Sequence, residues 1–338
     1  MTGKLFRRKR MLKKLALYPM TYDLCTVARY AFLLQGYTVS SLLVPKSWML
    51  NGLDISKIDG GEFANMPLYD FSNEQLNACD AIYMDYSEEI TNLDVYRNII
   101  LAASERNKEV LLSRKLTTQL TELCDTAISQ DNPMDEKLHQ LDVPVIMVLA
   151  QGERVGQYAI ELALRNHFIT KGYAVSQIAS YDIGRLFGMH SIPDFIYRKG
   201  EAYDKIVMFN HFASNLVFEE KPEILIVGVP GAVMKYSDKH LQGLGILPLI
   251  ITSAVRSDAS VFCTYYNESL KTYLEETRNY CNYRLDCNTF FFGISNTVLE
   301  LDVTDVKGQL KYITLDTQSV LEGIQKKKMW KPFTYLHR

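Results

Sequence analysis

Two hydrophobic patterns alternate along the chain. Short continuous apolar runs, closed by Gly, Pro or polar turns, predict strands buried on both faces of a sheet. In the first half they fall at residues 14–19, 36–42, 81–84 and 109–112. In the second half they fall at 145–149, 174–178, 223–229, 246–252, 260–265, 289–294 and 310–315. Between them, helical spacing predicts helices at 92–106, 116–128, 156–171 and 318–326. Within 156–171, Ile160, Leu164 and Phe168 recur at four-residue spacing and make one apolar face. Gly36 and Gly172 suit the position after a helix end, where a left-handed backbone costs Gly little.

Two stretches share one order of apolar strand, polar turn, helix, Gly and second strand. The first leads to Gly36-Tyr37-Thr38-Val39-Ser40, the second to Gly172-Tyr173-Ala174-Val175-Ser176. Each is a βαβ unit, whose crossover is right-handed. The shared G-Y-x-V-S fits an ancient duplication and fits convergence on a common unit equally well. The alternation of strands and helices predicts two Rossmann-like α/β/α three-layer domains with mainly parallel sheets. A length of 338 residues agrees with two domains. The expected division is a basic arm over 1–13, a first domain over 14–129, a polar linker over 130–142 and a second domain over 143–338. The ordered pattern begins just after Met11.

Composition narrows the class. With 47% hydrophobic and 22% charged residues, the chain has the make-up of a globular protein rather than a disordered or fibrous one. A formal net charge of −2 argues against a dedicated nucleic-acid binder. No apolar run reaches the roughly 18 residues that span a bilayer, and Leu15–Leu17 is too short for a signal-peptide core. A cytoplasmic location is the expectation. The basic arm, and the Lys326–Lys328 tail with Trp330 and Lys331, read as solvated ends. None of the six cysteines forms a CxxC pair, and Cys263, Cys281 and Cys287 read as reduced, buried thiols. The scattered histidines show no metal-ligand spacing, so no metal is expected, and nothing names a cofactor.

In open parallel sheets, ligands bind beyond the carboxyl ends of the strands. That rule selects residues 19–25, with Tyr22 and Asp23, in the first domain. In the second it selects 150–158, 180–193, 228–237 and 265–268. The loop Gln151-Gly152-Glu153-Arg154-Val155-Gly156-Gln157-Tyr158 lies where a P-loop, G-x-x-x-x-G-K-[ST], joins a strand to a helix. Gly156 meets the second glycine. Gln151 stands for the first glycine, Gln157 for the lysine and Tyr158 for the metal-binding hydroxyl. Without that lysine and hydroxyl, hydrolysis of a triphosphate loses its charge and its metal ligand. The loop is therefore either a degenerate ligand site, with helix amides and Arg154 for an anion, or a plain turn. His190 and Ser191 form a second candidate pair, with no G-x-S-x-G elbow beside them. Pro230, Gly231 and Lys235 form a third, where Gly231 permits close backbone approach.

The segments Leu17-Tyr18-Pro19, Ala163-Leu164-Arg165, Lys171-Gly172-Tyr173-x-Val175-Ser176-Gln177-Ile178, Phe187-Gly188-Met189-His190-Ser191-Ile192-Pro193 and Ile226-Val227-Gly228-Val229-Pro230-Gly231 resemble those of a clostridial peptide-maturation system family. That family sits in natural-product gene clusters for bacteriocin-type, ribosomally made peptides. The resemblance implies a cytosolic accessory protein whose partners are a precursor peptide and a radical maturase or carrier-like protein. It also implies a second domain related to P-loop folds, and it transfers no catalytic residue. The leading expectation is an accessory or scaffold protein that binds peptide or partner at strand-end loops. The alternatives are a nucleotide-dependent or transferase-type enzyme using the 151–158 loop with His190 or Lys235, and a two-domain small-molecule binding module.

Overall fold

The computed structural model describes residues 12–121, 137–267 and 270–326. They form two compact units, each built on one parallel sheet. Among the described residues the first unit takes 12–55, 64–121 and 186–188, and the second takes 56–63, 137–185 and 189–326.

The first unit runs β1 (Lys13–Tyr18), α1 (Tyr22–Arg29), β2 (Tyr37–Val44), then α2 (Ser56–Asp59), which belongs to the second unit. It continues with β3 (Leu68–Asp70), α3 (Asn73–Asn77), β4 (Ala81–Met84), α4 (Asp94–Glu105), β5 (Glu109–Leu112) and α5 (Arg114–Thr121). The sheet order is β3-β2-β1-β4-β5, parallel throughout. Leu15, Ala16, Leu17 and Tyr18 of the central strand are buried because helices cover both faces. The Thr21 hydroxyl caps α1 by accepting the Leu24 N–H at 3.3 Å. Tyr96, Ile99 and Ala103 of α4 close the core over Tyr18, Ile82 and Met84.

The second unit runs β6 (Val145–Ala150), α6 (Gln157–Thr170), β7 (Val175–Ala179), β8 (His190–Ser191), α7 (Ala202–Glu220), β9 (Ile224–Ala232) and α8 (Ile246–Ala254). It ends with β10 (Ala259–Thr264), α9 (Leu270–Leu285), β11 (Thr289–Ile294), β12 (Thr297–Leu299), α10 (Leu301–Lys307), β13 (Tyr312–Thr314) and α11 (Thr317–Lys326). Six strands form a parallel sheet in the order β11-β10-β6-β9-β7-β8, and β12 and β13 pair antiparallel beside it. Both units are thus mainly parallel α/β/α layers, as the alternation of elements predicts. The two G-Y-x-V-S stretches enter β2 and β7. Yet β2 pairs directly with β1, whereas β9 separates β7 from β6.

Several boundaries differ from the sequence reading. Residues 246–252 are helical, not a strand: they form most of α8, with Pro248, Ile250, Ile251 and Thr252 buried. A short apolar run has the same pattern in a buried helix as in a buried strand, and Pro248 lies in the first turn, where a missing N–H costs nothing. Lys13, assigned to the basic arm, opens β1 and pairs with Glu109 at 2.8 Å. The rest of that arm up to Met11 lies outside the described residues, as do residues 122–128 of the second helix and the tail from 327. So do linker positions 130–136. Residues beyond them lie along α7, where the Asn210 side chain accepts the His139 N–H at 2.7 Å and donates to its carbonyl at 2.9 Å.

The segment around α2 is stitched to the end of the second unit. The Asn296 amide donates to the Asp59 carbonyl at 2.6 Å and to the Leu315 carbonyl at 3.0 Å. The Thr317 hydroxyl donates to the Gly60 carbonyl at 3.0 Å. Cys25, Cys79, Cys263, Cys281 and Cys287 are buried free thiols, and burial pushes Cys281 up to about 12 and Cys287 up to about 11. Cys124 lies outside the described residues. Among the described residues no helix is long and apolar enough to cross a membrane, and no cluster of three or more His, Cys, Asp or Glu could hold a metal.

Candidate functional site

The loop that leaves β6 and enters α6 occupies the phosphate-loop position of the second unit. Gly156 precedes the helix with a positive φ of 72°. Gln157, which stands for the lysine, turns inward. Its side-chain amide donates to the Val148 carbonyl of β6 and to the Val229 carbonyl of β9, both at 2.8 Å. Both amide hydrogens are thereby used to tie two neighbouring strands. Gln151, which stands for the first glycine, turns toward β10. Its oxygen accepts from the Thr264 hydroxyl at 2.6 Å and the Tyr265 N–H at 3.2 Å.

Three tyrosines from distant parts of the chain converge on the same loop. The Tyr265 hydroxyl donates to the Glu153 carbonyl at 2.6 Å and stands 3.1 Å from the Tyr236 hydroxyl. The Tyr265 ring packs on Tyr312 with centroids 5.9 Å apart. The Arg154 guanidinium lies 5.0 Å above the Tyr312 ring, a cation–π contact. A Cβ built on Gly152 would stand 1.4 Å from the Tyr236 hydroxyl oxygen, so only glycine admits this ring. Burial pushes Tyr236 up to about 12 and raises Tyr265 and Tyr312 as well, so all three stay neutral phenols at ordinary pH. The Tyr236 ring therefore covers Gly152, and the Tyr265 hydroxyl holds the Glu153 carbonyl.

Beneath the loop, α6 carries a polar row beside its apolar sheet-facing residues Ile160, Leu164 and Phe168: Gln157, Glu161 and Arg165 follow at four-residue spacing. Glu161 is fully buried. One carboxylate oxygen accepts the Ser180 hydroxyl at 2.5 Å and the other the Ser180 N–H at 3.1 Å. A Cβ on Gly228 of β9 would fall 2.3 Å from the carboxylate, so the strand passes directly against it. Burial pushes Glu161 up to about 7, and the bonds from Ser180 only partly offset that rise. Further along, Arg165 donates to the Val175 carbonyl at 3.2 Å.

The other candidates occupy separate places. His190 Nε2 stands 2.7 Å from Glu220 Oε1, and the Ser176 hydroxyl donates to the second Glu220 oxygen. Burial would raise the Glu220 carboxyl, but the bonds from Ser176 and His190 outweigh it and hold it below its ordinary value. The acid thus sits between serine and histidine, whereas a nucleophilic triad needs histidine between serine and acid. Ser191 pairs across to Ala179 in the sheet, and its buried hydroxyl has no partner. Pro230 and Gly231 are not in a loop: β9 continues through them to Ala232, with Val229 supplying the carbonyl that holds Gln157. Lys235 pairs with Asp238. Tyr22 and Asp23 lie in the first turn of α1, in the first unit, with Tyr22 buried. Glu268 of the 265–268 loop lies outside the described residues.

The fold and this loop together define a two-unit α/β protein with a P-loop-like strand–loop–helix that carries neither lysine nor metal-binding hydroxyl. Among solved structures the chain is similar to a DUF1611 family protein from Anabaena variabilis. The TM-score is 0.59 and the identity 10%, over 93% of this chain and 91% of that one, a likeness of fold alone. Matches to a pseudomurein peptide ligase type C from Methanothermus fervidus (TM-score 0.28, 10% identity, 83% and 44% of the two chains) and to chloroplast FtsY from Physcomitrella patens (0.30, 13%, 66% and 70%) are weaker. No family model and no curated protein matches the chain.

Proposed function

We propose that the chain is an accessory protein in the maturation of a ribosomally made peptide, and that it binds a peptide or a partner protein at the strand-end loops of its second unit. The observation that carries this reading is the engagement of Gln157. The residue in the lysine position has both amide hydrogens on strand carbonyls and presents no charge to a phosphate. A binding role needs neither a charged cradle nor a metal. The surface around the loop offers half-buried tyrosines and the Arg154 guanidinium, groups that supply large amphipathic contact area to a peptide. The setting in peptide maturation rests on the family resemblance.

The test is a fluorescence-anisotropy titration of a labelled precursor peptide, taken from the same gene cluster, with the full chain. Saturable binding that weakens about tenfold or more in the Arg154→Ala, Lys235→Ala double variant is the expected result, a loss of about 1.4 kcal/mol. A peptide that shows no binding, or binds the double variant equally well, contradicts this placement of the site. In a reconstituted pathway, His190→Ala is expected to leave peptide modification intact.

A further inference from the structure

A fully buried carboxylate that receives both polar hydrogens of one residue is poised to act on that residue. Glu161 lies on the α6 face that packs on the sheet, within 2.3 Å of where a Gly228 Cβ would be. Val148, Ile160, Ile226 and Cys263 belong to the apolar cluster packed between α6 and the sheet. Its two oxygens take the N–H and the O–H of Ser180, the residue that follows β7 and opens the loop to β8. We propose that Glu161 is a proton-operated latch on that loop: ionised, it clamps Ser180 by two charge-assisted bonds, and protonated, it releases the clamp.

The donor balance makes the change discrete. The ionised carboxylate accepts at both oxygens. Once one oxygen carries a proton, it becomes a donor to the Ser180 hydroxyl, and that hydroxyl hydrogen must turn to another acceptor. The N–H bond that remains goes to a neutral acid, and such a bond is about half as strong as one to a carboxylate. Residues 181–185, which hold Tyr181 and Asp182, follow directly in the same unit.

The groups around Glu161 leave its charge to decide the state. Tyr158 from its own helix and Cys263 from β10 are the titratable neighbours, and burial raises both, so they stay neutral. Arg165, one turn on, is engaged by the Val175 carbonyl. Ser180 and Gln177 of the β7 segment and Gly228 of β9 do not titrate. Burial places the midpoint at about 7, where small changes in pH shift the population.

The experiment is a pH titration of the full chain by amide-resolved NMR, on the wild type and on Glu161→Gln. In the wild type the Ser180 amide proton is expected to move upfield by a few tenths of a ppm or more as pH falls through about 7. Amides of residues 181–185 should follow with the same midpoint. In Glu161→Gln both responses should vanish while the rest of the spectrum stays as in the wild type. A Ser180 amide that does not titrate, or a loop that titrates equally in the variant, overturns the proposal. If Glu161→Gln does not fold, Ser180→Ala supplies the second arm. It removes the hydroxyl contact and should shift the midpoint up, and an unchanged midpoint would contradict the latch.

Discussion

Glu161→Gln is expected to remove a large pH dependence from the stability of the second unit. The folded value of about 7 lies above the ordinary glutamate value of 4.5 because burial penalises the ionised form. Folding therefore favours the protonated acid. The resulting stabilisation is full below about pH 4.5, declines as pH rises and is gone above about 7. At 1.36 kcal/mol per pH unit over that interval, the wild type should lose about 3 kcal/mol between pH 4 and pH 8 through this residue. Glutamine keeps the shape and does not ionise. Urea unfolding followed by hydrogen-exchange mass spectrometry on peptides from β7 and β9 reads the second unit separately. The difference between wild type and variant should grow from pH 8 to pH 4 in the wild type's favour. Parallel pH profiles would show that Glu161 is not a buried carboxyl of raised affinity for protons.

Gly228→Ala carries the next largest expected cost. The added methyl would meet both Glu161 oxygens and the carboxyl carbon between 2.3 and 2.4 Å. Ser180 holds both carboxylate oxygens and Glu161 is fully buried, so the strand or the helix must move. Overpacking of this kind costs about 1–3 kcal/mol, and lost Ser180 bonds bring the estimate to the upper end. The partner variant is informative. Glu161→Ala vacates the space, so the double variant should recover part of the loss, with a coupling of about 1 kcal/mol or more. Strictly additive losses, measured by urea unfolding at pH 8, would separate the two residues.

Much of the fold can be read along the chain, for a physical reason. Parallel strands covered on both faces are continuous apolar runs, so β1, β4, β6 and β10 appear where the pattern places them. The same property explains the failure at α8, whose inner and outer positions are both apolar. In α7, Phe218 is exposed opposite buried Phe209 and Ala213, which blurs the helical period along that stretch.

The site divides along the same line. The absence of lysine at Gln157 is legible in the 151–158 stretch, but its two strand bonds are not, since they need β9 beside β6. The strand order that inserts β9 there leaves no local mark. Tyr236, Tyr265 and Tyr312 meet only in three dimensions, and nothing in their flanking residues pairs them. Glu161 had one signal, an acid four residues after Gln157 on a helix with few exposed positions. On a one-dimensional pattern it is indistinguishable from a solvated face.

The proposed role of the strand-end loop of the second unit is binding rather than nucleotide chemistry. Isothermal titration of the full chain with Mg·ATP and with Mg·GTP tests it most directly. The prediction is no saturable heat with either nucleotide, and none in a Gln151→Gly, Gln157→Lys variant, because Tyr236 still covers Gly152. Saturable one-to-one binding to the wild-type chain, abolished by substitution of Arg154 or Gly156, would contradict it.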